Sequence, residues 1–169
     1  MSKKMTEMLN GQVEIMFYNL KISMKTCNWK TLICGTPVWR YFYHTIHSCD
    51  KWFINPYVFT EPEIHVPHLD QVDLACDKVL TKEEIWAYYD QVHNKVTKYL
   101  NGLSDEELYE KPENCDYTRI ELIFGQVRHF MCHVGIFNGI TIANTGKYPM
   151  VVGMDAYKNH KMDGKLYDE

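Results

Sequence analysis

The sequence predicts an all-α fold, a four-helix bundle with a long connection between helices two and three, and three observations carry that reading. Apolar residues recur at steps of three and four along four separate stretches, each of about 20 residues, the spacing that lines one face of a helix. Two of those stretches open on Thr-x-x-Glu, the pattern in which a side-chain hydroxyl and a carboxylate cap the first helical turn reciprocally. Strand signals are weak, the best run being Met150-Val151-Val152, too short to nucleate a sheet alone.

The first helix is expected over residues 5–26, where Met5, Met8, Leu9, Val13, Met16, Phe17, Leu20 and Met24 mark the apolar face. Asn28 to Gly35 breaks it. Thr36-Pro37 reads as a hydroxyl cap followed by proline at the first helical position, and Val38, Phe42, Ile46, Cys49 and Phe53 continue as the stripe of helix two. Asn55-Pro56 ends that helix. Residues 57–80, interrupted by Pro62 and Pro67, read as the long connection, with one short helical turn near its end. Thr81 to Glu84 then opens helix three, which runs through Ile85, Tyr88, Tyr89, Val92, Val96 and Leu100 to the stop at Asn101-Gly102. Ser104 to Glu107 starts a short turn ending before Pro112. Thr118 to Glu121 opens helix four, expected to reach about Ala143 before Asn144-Thr145-Gly146. Residues 1–154 thus form one bundle domain, and residues 155–169, rich in Lys, Asp and Asn, a flexible C-terminal tail.

Composition excludes several classes of function. The 169 residues are 46% apolar, enough for a core, and no segment repeats at a fixed period. With 18 basic against 22 acidic residues the net charge is −4, which supplies no general attraction to phosphate backbones, so nucleic acid is not an expected partner. The amino terminus lacks a secretory apolar run and no stretch is long enough to span a membrane, so the chain is expected in the cytoplasm. The six cysteines (27, 34, 49, 76, 115 and 132) form no C-x-x-C pair and read as reduced, buried thiols.

The chemistry is expected at histidine. Eight histidines occur, at 44, 47, 65, 68, 93, 129, 133 and 160, and only His129 and His133 stand i, i+4 on a helix, which stacks two imidazoles one turn apart on one face. They follow the line Leu122, Gln126, His129, His133, Ile136, Ile140, beside the wholly apolar line Ile123, Val127, Phe130, Val134, Phe137. Both rings therefore border the bundle interior, where an unpartnered imidazole costs free energy. Two readings fit: a shared metal ion, or two histidines each hydrogen-bonded in the core. A catalytic metal needs a third protein ligand and an open position. Helix two offers His44 and His47, and periodicity does not choose between them; the one that is not a ligand reads as a partly exposed surface histidine. Asp50 reads as a surface ion pair or as the orienter of a neighbouring ring, and Arg40, Arg128 and Lys95 as solvated cations that could anchor an anionic substrate. His65 and His68 flank Pro67 in the connection, near the bundle mouth or simply solvated. No Glu follows His129, so the zinc-protease pattern is absent, and Asp90-Gln-Val-His93 has no second copy to make a di-iron pair.

The pattern resembles the DinB-like superfamily of metal-binding four-helix bundles. The resemblance rests on P-V-W-x-x-F-x-H-T-x-x-x-x-D-x-W-F, here Pro37 to Phe53, and on R-H-x-x-x-H-V-G-x-x-N-G, here Arg128 to Gly139. Thr145-Gly146-x-x-Pro149 also fits, and the likeness covers most of the chain from helix one to Gly153. It implies a divalent metal, usually zinc or nickel, held by His44, His129 and His133 with water completing the site; the resemblance, not the spacing, selects His44. It also implies a metal-dependent enzyme of the small-thiol S-transferase or hydrolase type, acting on a small-molecule substrate such as a low-molecular-weight thiol, and a possible homodimer. The alternative it leaves is a non-catalytic bundle that binds a metal or small ligand.

Overall fold

The computed structural model describes residues 2–159 and 163–168. Four long helices form the body: α1 (Lys4–Thr26), α2 (Val38–Trp52), α3 (Lys82–Gly102) and α4 (Arg119–Thr145). Helices α1 and α2 each pack against both α3 and α4, so α1 and α2 sit at opposite corners of an all-α four-helix bundle. The apolar stripes meet in a single core. Phe17, Phe42, Phe130 and Phe137 are all fully buried, with ring centroids 5.2 Å apart for Phe17 and Phe130 and 4.2 Å apart for Phe42 and Phe137. Burying each such ring contributes about 1.5–3 kcal/mol. The stripe of α1 is sharp in its middle and frays at its start, where Met8 is exposed.

Both capping boxes form. Thr81 Oγ1 accepts from the Glu84 amide while the Glu84 carboxylate accepts from the Thr81 amide, and Thr118 and Glu121 repeat the exchange at α4. Helix α4 runs to Thr145 and stops on Gly146, whose φ of 69° closes the helix in the left-handed region that favours glycine.

The start of α2 differs from expectation. Pro37, not Thr36, is the cap residue, and the Thr36 hydroxyl donates to the Val72 carbonyl at 2.7 Å. Thr36–Pro37 forms strand β2, paired antiparallel with β1 (Leu32–Ile33) across a two-residue turn. Cys34 and Gly35 both have positive φ there, as a tight hairpin requires. Met150 to Val152 is no strand; among the described residues Pro149 instead bridges to Tyr167.

Residues 53–81 cross the bundle as an irregular strap. Its short helical turn lies at its beginning, Pro56–Val58, rather than near its end, because Asn55 accepts from the Tyr57 amide and so caps that turn. After Gly153 a short helix, α5 (Met154–Lys158), lies against α1, where Tyr157 approaches Gly11 so closely that an added Cβ would stand 2.9 Å from its ring. Asn19, buried in the middle of α1, both donates to and accepts from the Val152 backbone. The expected tail is thus held to the bundle at α5 and, further on, where the Gly164 amide donates to Tyr18 Oη; residues 160–162 and 169 lie outside the described residues.

Candidate metal centre

The i, i+4 pair and one helix-two histidine converge. Helix α4 carries His129 and His133 one turn apart, and α2, packed against it, brings His44 to both. His44 Nε2 lies 3.3 Å from His129 Nε2, and His133 Nε2 lies 3.1 Å from the same atom. The rings meet edge to face, with centroids 4.7–5.2 Å apart, so their nitrogen edges rather than their faces point inward. A tetrahedral ion with nitrogen ligands at 2.0–2.1 Å separates those nitrogens by about 3.3 Å. The observed spacings fit that requirement, and His44 rather than His47 meets the pair.

Proton bookkeeping within the cluster leaves Nε2 lone pairs available to a cation. His44 Nδ1–H donates to the Asp70 carbonyl at 2.6 Å, which leaves Nε2 as the lone-pair atom. Burial holds His129 below the ordinary histidine value and His133 down to about 3, so both rings are neutral near neutral pH. Hydrogen bonding alone places one shared proton among three Nε2 atoms, whereas a divalent cation accepts all three lone pairs. Nδ1 of His129 and of His133 are buried without a protein partner among the described residues. Around the rings, Phe137 stacks on His133 with centroids 6.2 Å apart and Tyr41 stands 6.4 Å away, an apolar wall that thins the water on that side. The three donors include no carboxylate, so an ion there would keep its full charge.

The strap supplies the supporting atoms, through a residue expected to be solvated. Arg40 is 5% exposed; its Nε donates to the Leu69 carbonyl at 3.0 Å, and its Nη2 to the carbonyls of His68 and of Gln71. Those bonds clamp the backbone on both sides of Asp70, the partner of His44. Leu69, fully buried, fixes the same turn from below. Arg128 is exposed, as a solvated cation would be, and the exposed Cys132 between the two α4 histidines points away from the interior. Of the six cysteines, Cys27, Cys49 and Cys115 are buried, while Cys34 is exposed like Cys132, and all are free thiols.

Three further residues of α2 and α3 depart from their sequence reading. His47 is 2% exposed rather than superficial, and its Nε2 lies 2.5 Å from Glu61 Oε2 of the strap. Asp50 is buried, accepting from Tyr88 Oη at 2.8 Å and from Lys95 Nζ at 2.5 Å, so Lys95 is an ion-pair partner and not an open anion anchor. His93 pairs with Glu14 of α1 at 2.9 Å, and that bond depresses the Glu14 pKa. In the strap, His65 meets Tyr43 Oη, whereas His68 is exposed with φ 69°. His160 lies outside the described residues. Spacing could not have found the His47–Glu61–His65 cluster, since two of its members sit on irregular backbone; the Glu61-x-x-x-His65 interval is its only trace in the sequence.

No helix among the described residues is long and apolar enough to cross a membrane. Compared with known proteins, the chain matches no family model, no curated protein and no solved structure.

Proposed function

We propose that this chain is a divalent-metal protein of the DinB-like type, with His44, His129 and His133 as ligands, and that it is an enzyme working on a small molecule in the cytoplasm. The observation that carries the reading is the convergence of three Nε2 atoms at a helix–helix junction, those of His44 and His133 each within 3.3 Å of that of His129. The all-imidazole donor set suits zinc or nickel, with a fourth position left to water or substrate. An ion in that setting supplies Lewis acidity and lowers the pKa of a water or thiol near it. The chain's own residues do the rest. Burial keeps the α4 rings neutral and ready to bind, the Asp70 carbonyl orients His44, and Arg40 holds that carbonyl in place. The reaction this reading favours is transfer of a low-molecular-weight thiol to an electrophile, or else hydrolysis of a small substrate.

The test combines metal content with turnover. Elemental analysis of purified protein should show that His44→Ala and His133→Ala each lose one equivalent of metal that His68→Ala retains. Thiol addition to an electrophile should stop on chelation and return with zinc or nickel. Full metal content in His44→Ala and His133→Ala would overturn the ligand assignment. Metal loss without any chelator-sensitive turnover across a thiol and ester panel would leave a binding protein rather than an enzyme.

A further inference from the structure

We propose a second divalent-cation site, formed by His47 of α2 with Glu61 and His65 of the strap, and backed by Asp70 and Tyr43. One ligand atom from each of the three lies within 4.8 Å of the others. Glu61 Oε2 is the shared point, 2.5 Å from His47 Nε2 and 3.7 Å from His65 Nε2. Those spacings bracket the roughly 3.3 Å that separates neighbouring ligands of a small tetrahedral ion. The two imidazoles stack with centroids 4.8 Å apart and planes 14° from parallel, so both present the same nitrogen edge to one carboxylate.

The atoms behind the rings set them up as ligands. A ligating histidine uses one nitrogen for the ion and donates its other N–H to an oxygen. Tyr43 Oη, on a fully buried side chain, lies 2.8 Å from His65 Nδ1, and Asp70 Oδ2 lies 3.8 Å from His47 Nδ1. Without an ion the His47 Nε2–H donates to Glu61; an ion at Nε2 would displace that proton, with Tyr43 Oη placed to accept from His65 Nδ1 and Asp70 Oδ2 the oxygen nearest to His47 Nδ1. Asp70 Oδ1, 4.0 Å from His65 Nε2, is near enough to serve as a fourth ligand and second oxygen donor. Lys51 Nζ, 3.6 Å from Glu61 Oε1, is the cation that faces the group, against the carboxylates of Glu61 and Asp70. Two carboxylates against one ammonium leave one unit of negative charge, which a divalent ion reverses. Glu61 also lines a cleft of about 550 Å³ with Glu84, Tyr88 and Gln91, and its side chain is 42% exposed, so its carboxylate is open to an ion from solvent.

The donor set of two imidazoles and a carboxylate differs in kind from the three imidazoles of the first site and suits zinc, iron(II) or cobalt(II). Asp70 belongs to both: its carbonyl faces His44 and its carboxylate faces the second cluster. A cation at the second site ties the strap to α2 directly beside the first.

Cobalt(II) titration of chelator-treated, full-length protein, followed by absorption and calorimetry, tests the assignment. The wild-type chain should bind two equivalents. Glu61→Gln and His65→Ala should each keep one and lose, or weaken at least ten-fold, the other, while His129→Ala keeps the second site and loses the first. Circular dichroism melts identify any variant that fails to fold, and the near-isosteric Glu61→Gln guards against that outcome at His65. One equivalent in wild type, unchanged in Glu61→Gln and His65→Ala, would overturn the second site and leave the cluster as a hydrogen-bonded clasp. Two equivalents unchanged in both variants would overturn it equally. Failure of the first site reads differently: binding unchanged in His129→Ala but abolished in His65→Ala.

Discussion

The two histidine clusters of this molecule are built from different material. His44, His129 and His133 stand on two packed helices, so their positions follow from the bundle core, and the strap contributes only a carbonyl behind His44. His47 also stands on α2, one turn from His44, but its companions Glu61 and His65 stand on the irregular strap. The first cluster is therefore preorganised by the burial of Phe42, Phe130 and Phe137, whereas the second exists only while residues 53–81 stay docked. Chemistry follows the same division. Helix-borne imidazoles meet with no carboxylate among them, and the strap adds negative charge to the second cluster. A scaffold of paired helices can hold a cation with neutral ligands alone, while a loop-borne site leans on charge to compensate for looser positioning.

The largest expected effect separates the clusters by metal dependence. Saturating zinc, at about a thousand times the dissociation constant, should raise the unfolding free energy by roughly 4 kcal/mol through the helix-held site. Urea unfolding with and without chelator measures that difference, and His133→Ala should abolish its larger part; an undiminished zinc effect in that variant would erase the proposed contrast. Next comes the strap. Arg40→Met removes donors to three strap carbonyls and should cost about 2–3 kcal/mol. Limited proteolysis should then cut the strap faster, with metal at the strap-held site lost and metal at the triad weakened about ten-fold. Equal loss at both sites would mean that the triad depends on the strap as heavily as its neighbour does.

A pH series separates them without mutation. His133 titrates at about 3 in the folded chain against 6.5 for an ordinary histidine, and His129 is lowered in the same direction, both chiefly by burial. The unfolded chain therefore binds more protons than the folded one between those values, so the metal-free protein is most stable above pH 6.5 and weakens progressively toward 3. Replacing His133 with Gln should flatten that slope in urea unfolding measured at stepped pH; an unchanged slope would show that the ring does not sit in an apolar wall. The smallest effect is expected far from either cluster. Thr118→Ala opens the capping box of α4, three turns before His129, and should cost about 1 kcal/mol with no change in metal stoichiometry.

Much of the architecture was legible residue by residue. The i, i+3 and i, i+4 apolar steps, the two Thr-x-x-Glu caps and the glycine at 146 are local signals, and the helices begin and end within a few residues of where those signals place them. The His129–His133 pair was legible for the same reason. The choice between His44 and His47 was not, because side chains three residues apart stand only about 60° apart around a helix, and which of the two faces α4 depends on how α2 is rolled in the bundle. Arg40, His47 and Asp50 were misread together. Each is polar and lies off the apolar stripe, which on a bare helix means solvent, but the strap and α3 cover that side and bury all three with partners.

Helix number, helix boundaries and the one-turn spacing of the α4 imidazoles were already written in the amino-acid order, since each follows from a period of 3.6 residues or a cap spanning four. The partner that each polar side chain meets was not. Those partners lie tens of residues away, as Asp70 does from His44 and Glu61 from His47, on backbone that has no repeating pattern to read. Their meeting is settled by the path of the strap over the packed helices, and so it becomes visible only once the chain is folded.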